Sequence, residues 1–280
     1  MSGAATTFLW QDGVLIPRED CDILPASIEV ADSWFVTEGT ALALDLHRSR
    51  FMTGIPRGRY REFDPGEFWE AAVAAIPRTG DWFPRVELRT QVLRPQFLFR
   101  LREAPERSRS VVLATHPGRD PRNAPRIKGP DLEDMVRLRT AVQSEGAQEA
   151  VILTPGGFVA EGSTTCLAWW RGDALAIPSD DIARIDSVTL RSVLALATAL
   201  GVDILREEAR LEDLDGCEVW ALNALHGIRI VTGWVDGPSV AEQPGRLDAW
   251  RRRLDALRRP LPGPLDDPGV RPHVGPGDPS

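Results

Sequence analysis

The stretch Ala124-Pro-Arg-Ile-Lys-Gly-Pro-Asp131 contains the only lysine of the chain, Lys128, among 33 basic residues. The other 32 are therefore arginines. A lysine amine can lose its proton and act as a nucleophile, whereas a guanidinium group stays protonated. An imine bond to an aldehyde requires such an amine. Lys128 is therefore either a reactive amine or a surface lysine in an arginine-rich chain, and its surroundings decide between the two.

The composition of the 280 residues narrows the classes of protein to consider. With 42% hydrophobic residues the chain can bury a large core, in one large domain or two smaller ones. A net charge of -8 argues against a general nucleic-acid binder. No run approaches the roughly 18 apolar residues that span a bilayer. The first residues lack the basic start and apolar core of a signal peptide, so we expect a cytoplasmic protein without membrane contact.

The three cysteines, Cys21, Cys166 and Cys217, are far apart and odd in number. Their spacing matches no metal-binding pattern, and we expect reduced thiols and no metal site.

The first 117 residues are predicted to form a small α+β domain. Leu9 to Pro17 is typical of a hairpin that turns at Asp12-Gly13. Asp64 is a predicted N-cap for a helix from Pro65 to Ala75. A second helical stretch, Leu46–Met52, carries His47 and Arg50 three residues apart, on one face. Strands are predicted at 86–90, 96–101 and 110–115 from their apolar alternation.

Residues 118–127 contain prolines and arginines and are predicted to be an interdomain linker. A larger C-terminal domain is predicted for residues 128–258. It starts with a helix at Gly129-Pro130 that Gly146 ends. Strands follow at 149–154, 158–170 and 202–206, with a helix at 188–200 between the last two. Two further strands, 218–231 and 232–237, are split by a Gly-containing bend near Gly233, and a final helix carries Leu247, Trp250, Leu254 and Leu257. Residues 259–280 are rich in Pro and Gly and predict a disordered tail.

The order Lys128, Glu161, Val188-Thr189 and Asn223-Ala-Leu225 resembles the fold-type IV pyridoxal phosphate enzymes, the class IV aminotransferase family. This family includes branched-chain and D-amino acid aminotransferases and 4-amino-4-deoxychorismate lyases. The resemblance runs from about Gly13 to about Gly237. It implies a two-domain α+β fold like that of D-amino acid aminotransferase. It also implies pyridoxal 5'-phosphate at the domain interface and a homodimer.

The resemblance assigns two residues to the reacting end of the cofactor. Lys128 is similar to the lysine that forms the Schiff base and later moves the substrate proton. Glu161, in Val-Ala-Glu-Gly-Ser, resembles the glutamate that pairs with the pyridine nitrogen. A carboxylate there keeps that nitrogen protonated, so that the ring can accept electrons. Taken alone, Glu161 would be a solvated surface carboxylate.

The resemblance assigns other residues to the cofactor phosphate. Arg50 resembles the arginine that holds the phosphate, and His47 is the second mark of that motif. Val188 and Thr189 open a helix, whose free N–H groups and dipole favour a dianion. Asn223, Ala224 and Leu225 fall where the last cofactor loop of the family lies.

Some positions depart from the family pattern. The usual Gly-Ile-Thr-Arg before the phosphate helix is replaced by Ser187-Val-Thr-Leu190, and the usual Asn after the glutamate strand is Cys166. The aromatic residues of a branched-chain pocket are not evident, and Tyr60 is the only tyrosine. Branched-chain specificity is therefore not expected.

The resemblance leaves the reaction open among three alternatives. We expect amino transfer between an amino substrate and a keto acid. Two features favour instead a lyase that releases pyruvate and 4-aminobenzoate. They are the triplet Asn223-Ala-Leu225 and Thr37, which would be a proton-transfer residue. A degenerate binder without turnover is the third. For either reaction an arginine is expected to bind the substrate carboxylate, and the candidates are Arg122, Arg126 and Arg229.

Overall fold

A computed structural model describes residues 5–18, 26–56, 64–91 and 94–263. Cys21, Tyr60 and residues 264–280 of the predicted tail lie outside these ranges. The first part of the chain forms β1 (Thr6–Gln11), β2 (Val14–Arg18), β3 (Ala26–Ser33), β4 (Val36–Thr37), β5 (Thr40–Ala41), α1 (Leu44–Gly54), α2 (Pro65–Ala74), β6 (Asp81–Trp82), β7 (Arg85–Gln91) and β8 (Arg94–Leu101). These elements confirm the predicted mixture of helices and strands.

The second part of the chain is larger. It forms β9 (Ser110–Thr115), α3 (Leu132–Gln143), β10 (Glu149–Leu153), β11 (Val159–Gly162), β12 (Cys166–Arg171), β13 (Ala174–Pro178), α4 (Val188–Ala199), β14 (Ile204–Glu207), β15 (Cys217–Asn223), β16 (Gly227–Val235), β17 (Val240–Ala241), α5 (Arg246–Asp255) and β18 (Arg259–Pro260). None of the helices in the described ranges is both long and apolar enough to cross a membrane.

The first sheet has five strands in the order β2-β1-β8-β7-β3, all antiparallel. Its predicted hairpin is confirmed, because Gln11 pairs with Val14 and both turn residues, Asp12 and Gly13, have positive φ. The predicted N-cap is also confirmed, since the Asp64 carboxylate accepts a hydrogen bond of 2.7 Å from the Gly66 amide. Helices α1 and α2 cover one face of this sheet.

Aromatic side chains fill the core between these helices and the first sheet. Phe51, Phe68 and Phe97 are all buried, and the rings of Phe68 and Phe97 stack with centroids 5.0 Å apart. Trp34 and Trp69 are buried beside them, 4.8 Å apart. This packing holds α1, which carries His47 and Arg50, rigidly against β3.

The second sheet has nine strands, eight of them in the order β11-β10-β9-β16-β15-β12-β13-β14 with β17 beside β15. Three tryptophans anchor α5 on one face. Trp170, Trp220 and Trp250 make mutual edge-on contacts with centroids 5.2 to 5.6 Å apart. Edge-on packing of this kind adds to the stabilisation that comes from burying the rings.

The strand Ser110–Thr115 belongs to the second sheet, not to the N-terminal domain in which the sequence placed it. β9 pairs in parallel with β10 and β16. Its alternating side chains Val111 and Leu113 are buried with Val151 and Trp169 in the core on that sheet's face. The chain therefore crosses between the sheets between Leu101 and Ser110, before the predicted linker.

The start of the predicted tail is ordered. Arg259–Pro260 pairs with Thr40–Ala41 of the first part, and the Leu261 amide donates to the Gly39 carbonyl at 2.8 Å. Leu261 is buried. The Pro- and Gly-rich composition concealed this contact, because strand pairing with a distant segment leaves no local pattern.

Two long stretches that were predicted as extended are each divided in the structure. A turn at residues 163–165 separates β11 from β12, and the Gly162 amide donates to the Thr165 carbonyl at 2.8 Å. A second turn separates β15 from β16, where Asn223 Oδ1 accepts a 2.8 Å bond from the His226 amide. The bend predicted near Gly233 is only a bulge within β16. Both turns bring polar backbone to the same end of the sheet.

A close backbone contact fixes Lys128 between the two sheets. The Lys128 carbonyl accepts a 2.7 Å bond from the Ala31 amide of β3. Gly129 has a φ of +142°, and a Cβ there would lie 2.8 Å from Ala31 N and Val30 Cα. This turn delays α3 to Leu132, so the predicted start at Gly129 is too early by three residues. Asp131 secures the preceding linker by accepting from the Asn123 and Ala124 amides, both at 2.9 Å.

We predict that Gly129→Ala destabilises the protein by about 3 kcal/mol, since it combines an unfavourable φ with a backbone collision. Gly146→Ala is the matched control, because Gly146 also has positive φ but open space around its Cβ position. It should cost only about 1 kcal/mol. Urea unfolding of both variants measures the difference. Equal decreases in the free energy of unfolding of the two variants would show that the contact with β3 is not tight.

Candidate active site

A cavity of about 370 Å³ lies between the two sheets and is lined from both. Most of the predicted site residues border it: His47, Arg50, Lys128, Glu161, Val188, Thr189, Asn223, Ala224, Leu225 and Arg229. Thr37, Arg122 and Arg126 are not among the residues that the structure places on its wall. The cavity thus joins residues from α1, the Lys128 turn, β11, α4 and the β15–β16 turn.

Lys128 presents its amine to this cavity. Burial, together with the positive charges of Arg50 and Arg85, lowers the pKa of Lys128 to about 8. The negative charges of Asp32 and Glu161 oppose that effect. An ordinary lysine has a pKa of about 10.4, so Lys128 carries a far larger neutral fraction near neutral pH. The neutral amine is the nucleophilic form.

Arg50 is held by a buried carboxylate that the sequence did not reveal. Asp32, at the end of β3, accepts from Arg50 Nε at 2.7 Å and from Arg50 Nη2 at 2.8 Å. Asp32 Oδ1 also lies 2.8 Å from His47 Nδ1. Arg50 Nη1 donates to the Asp186 carbonyl at 2.9 Å, next to the start of α4. These contacts fix the guanidinium between α1 and α4.

The protonation states in this cluster follow from its charges. Burial by itself raises the pKa of Asp32, but Arg50 and His47 outweigh it and hold that pKa well below its usual range. Burial lowers the pKa of His47, so this ring is neutral at neutral pH. An ionised carboxylate only accepts hydrogen bonds, and His47 Nδ1 must therefore carry the proton and donate to Asp32.

The N-terminus of α4 leaves amide groups free for an anion. Ser187 is its N-cap, and its hydroxyl accepts from the Leu190 amide at 3.2 Å. No described group accepts from the Val188 and Thr189 amides, and both residues border the cavity. Arg50 uses three of its five N–H groups on Asp32 and Asp186, so two remain. Arg50 and the helix end together form a cradle for a dianion.

The departures from the family motif do not disturb this helix end. Ser187 has φ −78° and ψ 120°, an ordinary extended conformation that needs no glycine. Leu190 is buried in the core around Trp220, where an arginine would be unpaired. Cys166 borders the cavity, and burial raises the pKa of its thiol to about 12, so it stays protonated. The altered residues therefore support the local fold in a different way.

Glu161 lies on β11 and also borders the cavity. Its Oε1 accepts from the Ile185 amide at 3.0 Å and from Arg122 Nη1. No described residue donates to Oε2. Burial raises the pKa of Glu161 to about 7, and Arg122 opposes the rise. One carboxylate oxygen therefore remains available to a donor inside the cavity.

Two predicted substrate-binding arginines and one predicted catalytic residue lie elsewhere. The Arg122 guanidinium is bound by Asp120 and Glu161, so it has a structural partner on both sides. Arg126 is exposed and borders a different depression, with Asp180. Thr37 lies in β4 of a small third sheet, which has four strands in the order β18-β5-β4-β6, and its carbonyl accepts from the Thr40 hydroxyl. A substrate contact for these three residues is therefore not supported by their positions within this chain.

Arg229 is the predicted arginine that does border the cavity. It is buried, and its Nε has no hydrogen-bond partner among the described residues. Glu149 lies 3.7 Å from its Nη2. Glu149 also accepts from the Thr164 amide at 2.8 Å and so holds the turn after Glu161. Arg229 therefore keeps donors free towards a ligand.

Several site residues were missed from the sequence. Arg85 and Arg102 of the first sheet border the cavity, and Glu149 and Asp120 hold arginines from behind. No local pattern marks these residues as lying at the cavity, because the cavity is formed by segments that are far apart in the sequence. Asp32 had no distinguishing signal either, because its strand also carries Glu29.

We predict that Asp32→Asn destabilises the protein by about 3 kcal/mol or more, because it leaves the Arg50 charge buried without its partner. Asp45→Asn is the control, because the Asp45 carboxylate on α1 is exposed, and it should change stability by no more than about 0.5 kcal/mol. Urea unfolding at neutral pH compares the two variants. A small effect of Asp32→Asn would contradict the buried ion pair.

We predict that acylation of Lys128 by a neutral reagent reaches half its maximal rate near pH 8. Since the chain has one lysine, mass spectrometry of the peptide that contains it reports this amine alone. The same reagent on the unfolded protein should give half-maximal rate near pH 10. Identical pH profiles for the folded and unfolded states would contradict the buried amine.

Comparisons with known proteins agree with this geometry. Residues 29–234 match the family model described as amino-transferase class IV. A search of curated proteins found no match. Among solved structures, a hypothetical aminotransferase from Mycobacterium tuberculosis in its PLP-bound form is 16% identical, with a TM-score of 0.73. The match covers 91% of this chain and 98% of that one.

Two branched-chain aminotransferases have the same fold. The enzyme from Thermoproteus uzoniensis with norvaline has a TM-score of 0.75 at 16% identity, over 91% of this chain and 99% of that one. The Escherichia coli enzyme has a TM-score of 0.74 at 14% identity, over 94% and 97%. Such identities establish the shared fold, and the family model covers most of the sequence. The chain belongs to the class IV aminotransferase family.

Proposed function

We propose that this chain transfers an amino group between an amino substrate and a keto acid in the cavity between its two sheets. The observation that carries the proposal is the placement of Lys128, Glu161 and the Arg50–α4 cradle around one cavity. These three groups match an aldehyde, a ring nitrogen and a phosphate. The family and its PLP-bound relative agree with pyridoxal 5'-phosphate as cofactor.

The residues present fit this cofactor. Arg50 and the Val188 and Thr189 amides would hold its phosphate, because they are the free donors at the end of α4. The free oxygen of Glu161 would accept from the pyridine nitrogen. Lys128 supplies the only lysine amine in the chain for the aldehyde carbon. A deep cavity of about 370 Å³ is within the range of small-molecule sites.

The chain contributes proton transfer and charge control. When bound, the cofactor withdraws electrons from the substrate α-carbon, which makes its proton acidic. Lys128 Nζ, with a pKa near 8, can take that proton and return it. Glu161 keeps negative charge beside the ring nitrogen and so favours its protonated form. His47 is neutral and serves to orient Asp32 and Arg50.

Arg229 is our candidate for the substrate carboxylate. Its buried and unpaired Nε favours an anionic ligand. Arg102 is a second candidate on the opposite wall. Its Nε donates to the Phe83 carbonyl at 2.9 Å, so its terminal nitrogens are available to a ligand. A homodimer and a cytoplasmic location remain predictions.

The structure gives less support to the two alternatives. Thr37, one of the two features that favour a lyase, lies in the small sheet away from the cavity wall. Asn223, Ala224 and Leu225 do border the cavity, but they are equally compatible with amino transfer. A degenerate binder would not need the amine of Lys128 and the carboxylate of Glu161 together at one cavity. Amino transfer therefore remains the proposal.

The purified protein with pyridoxal 5'-phosphate should develop a visible absorption band that borohydride removes. A panel of amino donors should bleach that band, and keto acids should restore it. Lys128→Arg should show no such band and no measurable turnover, because guanidinium does not form the required bond. Arg137→Lys, at an exposed site on α3, is the matched control and should behave as wild type. Release of pyruvate and aminobenzoate from aminodeoxychorismate, without response to donors, would support the lyase instead.

A further inference from the structure

Three side chains form a chain of charges that ends at the cavity. The Asp120 carboxylate accepts from Arg122 Nε at 2.9 Å and from Arg122 Nη2 at 2.8 Å. The same carboxylate accepts from the Arg122 backbone amide at 3.0 Å. The remaining terminal nitrogen of Arg122, Nη1, donates to Glu161 Oε1. Asp120 thus holds one edge of the guanidinium, and Glu161 binds the other.

The inner end of this series of charged side chains is shielded from solvent, and its outer end is partly exposed. The side chains of Arg122 and Glu161 are 2% and 4% exposed, while Asp120 is 25% exposed. A buried carboxylate stays charged only if a cation and hydrogen bonds compensate for the lost water. Arg122 supplies that cation in direct contact. Asp120 offsets the cost of burying the guanidinium itself.

The other groups that face Glu161 cannot replace Arg122. The Ile185 amide donates to the same Oε1 at 3.0 Å but carries no charge. Arg184 and Lys128 influence Glu161 only through space, and Lys128 lies on the cavity wall. Cys166 stays a neutral thiol. Among the described residues, Arg122 is therefore the one cation in hydrogen-bond contact with Glu161.

We propose that Arg122, held by Asp120, is a positioning residue that favours the ionised form of Glu161 and turns its Oε2 towards the cavity. This inference rests on the proposed function, because it gives Glu161 the ring nitrogen as its partner. With Oε1 bound by Arg122 and Ile185, rotation of the carboxylate is blocked. Only Oε2 then remains to meet a donor in the cavity.

The geometry requires arginine at this position. A planar guanidinium binds Asp120 along one edge and Glu161 through its third nitrogen at the same time. A lysine ammonium is a single point charge and cannot hold both carboxylates in this fixed arrangement. Arg122→Lys should therefore keep part of the charge effect and lose the orientation. Arg122→Met should lose both at nearly equal side-chain length.

The test compares Arg122→Met, Arg122→Lys, Glu161→Gln and the control Arg119→Met, an exposed arginine of the same linker. Affinity for pyridoxal 5'-phosphate is measured by tryptophan fluorescence from pH 6 to about pH 10, together with kcat and KM. Burial already raises the pKa of Glu161 to about 7, so removal of Arg122 should leave it protonated at neutral pH. Arg122→Met should then resemble Glu161→Gln at pH 7.

The result expected is recovery with rising pH. Arg122→Met should bind the cofactor at least about tenfold more weakly than wild type at pH 7 and approach wild type at high pH, as Glu161 ionises. Glu161→Gln should show no such recovery, and Arg119→Met should match wild type throughout. Arg122→Lys should lie between wild type and Arg122→Met. A deficit of Arg122→Met that is the same at every pH, or no deficit, would overturn the proposal.

A second measurement tests the proposal even if a variant folds poorly or the protein does not take up the cofactor. Infrared difference spectra between each cofactor-free protein and its Glu161→Gln counterpart isolate the Glu161 carboxyl band. Asp120→Asn, which keeps the guanidinium in place and removes a competing negative charge from it, should lower the pH at which that band shows ionisation. An unchanged titration would overturn the role of the Asp120–Arg122 pair. Failure of wild type to bind the cofactor, with this titration as expected, would overturn only the proposed function.

Discussion

The contact between the Lys128 turn and β3 is the constraint on which the site depends. The Lys128 carbonyl accepts from the Ala31 amide, and Gly129 allows the two backbones to approach within a distance that excludes a Cβ. One residue beyond Ala31 is Asp32, which holds Arg50. A single strand end therefore positions both the amine and the guanidinium. The two sheets meet at this point, so Lys128 and Arg50 are held at a fixed separation in the cavity between them.

The cavity wall has a recurring arrangement in which a buried carboxylate lies behind an arginine, and it occurs three times. Asp32 lies behind Arg50, Glu149 lies near Arg229, and Glu87 lies 2.6 Å from Arg85. All three carboxylates are fully buried. Each one orients a guanidinium and offsets its burial, while the outer donors of the arginine stay directed to the cavity. Such fixed donors bind an anion without the cost of ordering flexible side chains on binding.

Local sequence patterns were enough to predict most helices and strands. They did not show which distant segments pair with each other. The Asp12-Gly13 hairpin, the Asp64 cap and the amphipathic spacing of Leu247, Trp250 and Leu254 each express a short-range rule, and the structure has all of them. Ser110–Thr115 was predicted as a strand, but its sheet depends on partners at 149 and 230. The ordered segment 259–263 depends on a partner at 40 for the same reason.

The site residues divide in the same way. Some were predicted from a sequence motif, and others are revealed only by a long-range contact in the structure. The residues that the family resemblance supplied lie around one cavity, because their motif positions already encode that geometry. Arg122 was taken as a substrate residue because it is a linker arginine near Lys128. Its true partner, Glu161, is 39 positions away, and no sequence rule connects them. The carboxylates behind the arginines were missed because a buried Asp or Glu resembles any other until its partner is known.

The use of one lysine among so many arginines has a physical reason at this cavity. Arg85 is heavily buried there, and burial lowers its pKa to about 10, which still leaves it charged at neutral pH. Under comparable burial the pKa of Lys128 falls to about 8. Arginine therefore provides permanent charge on the wall, and lysine provides a basic group that gains and loses a proton near neutral pH. An arginine at position 128 would preserve the positive charge in the cavity but would remove its only titrating amine. The chemistry of the site therefore depends on which basic residue stands at position 128 and not on the charge alone.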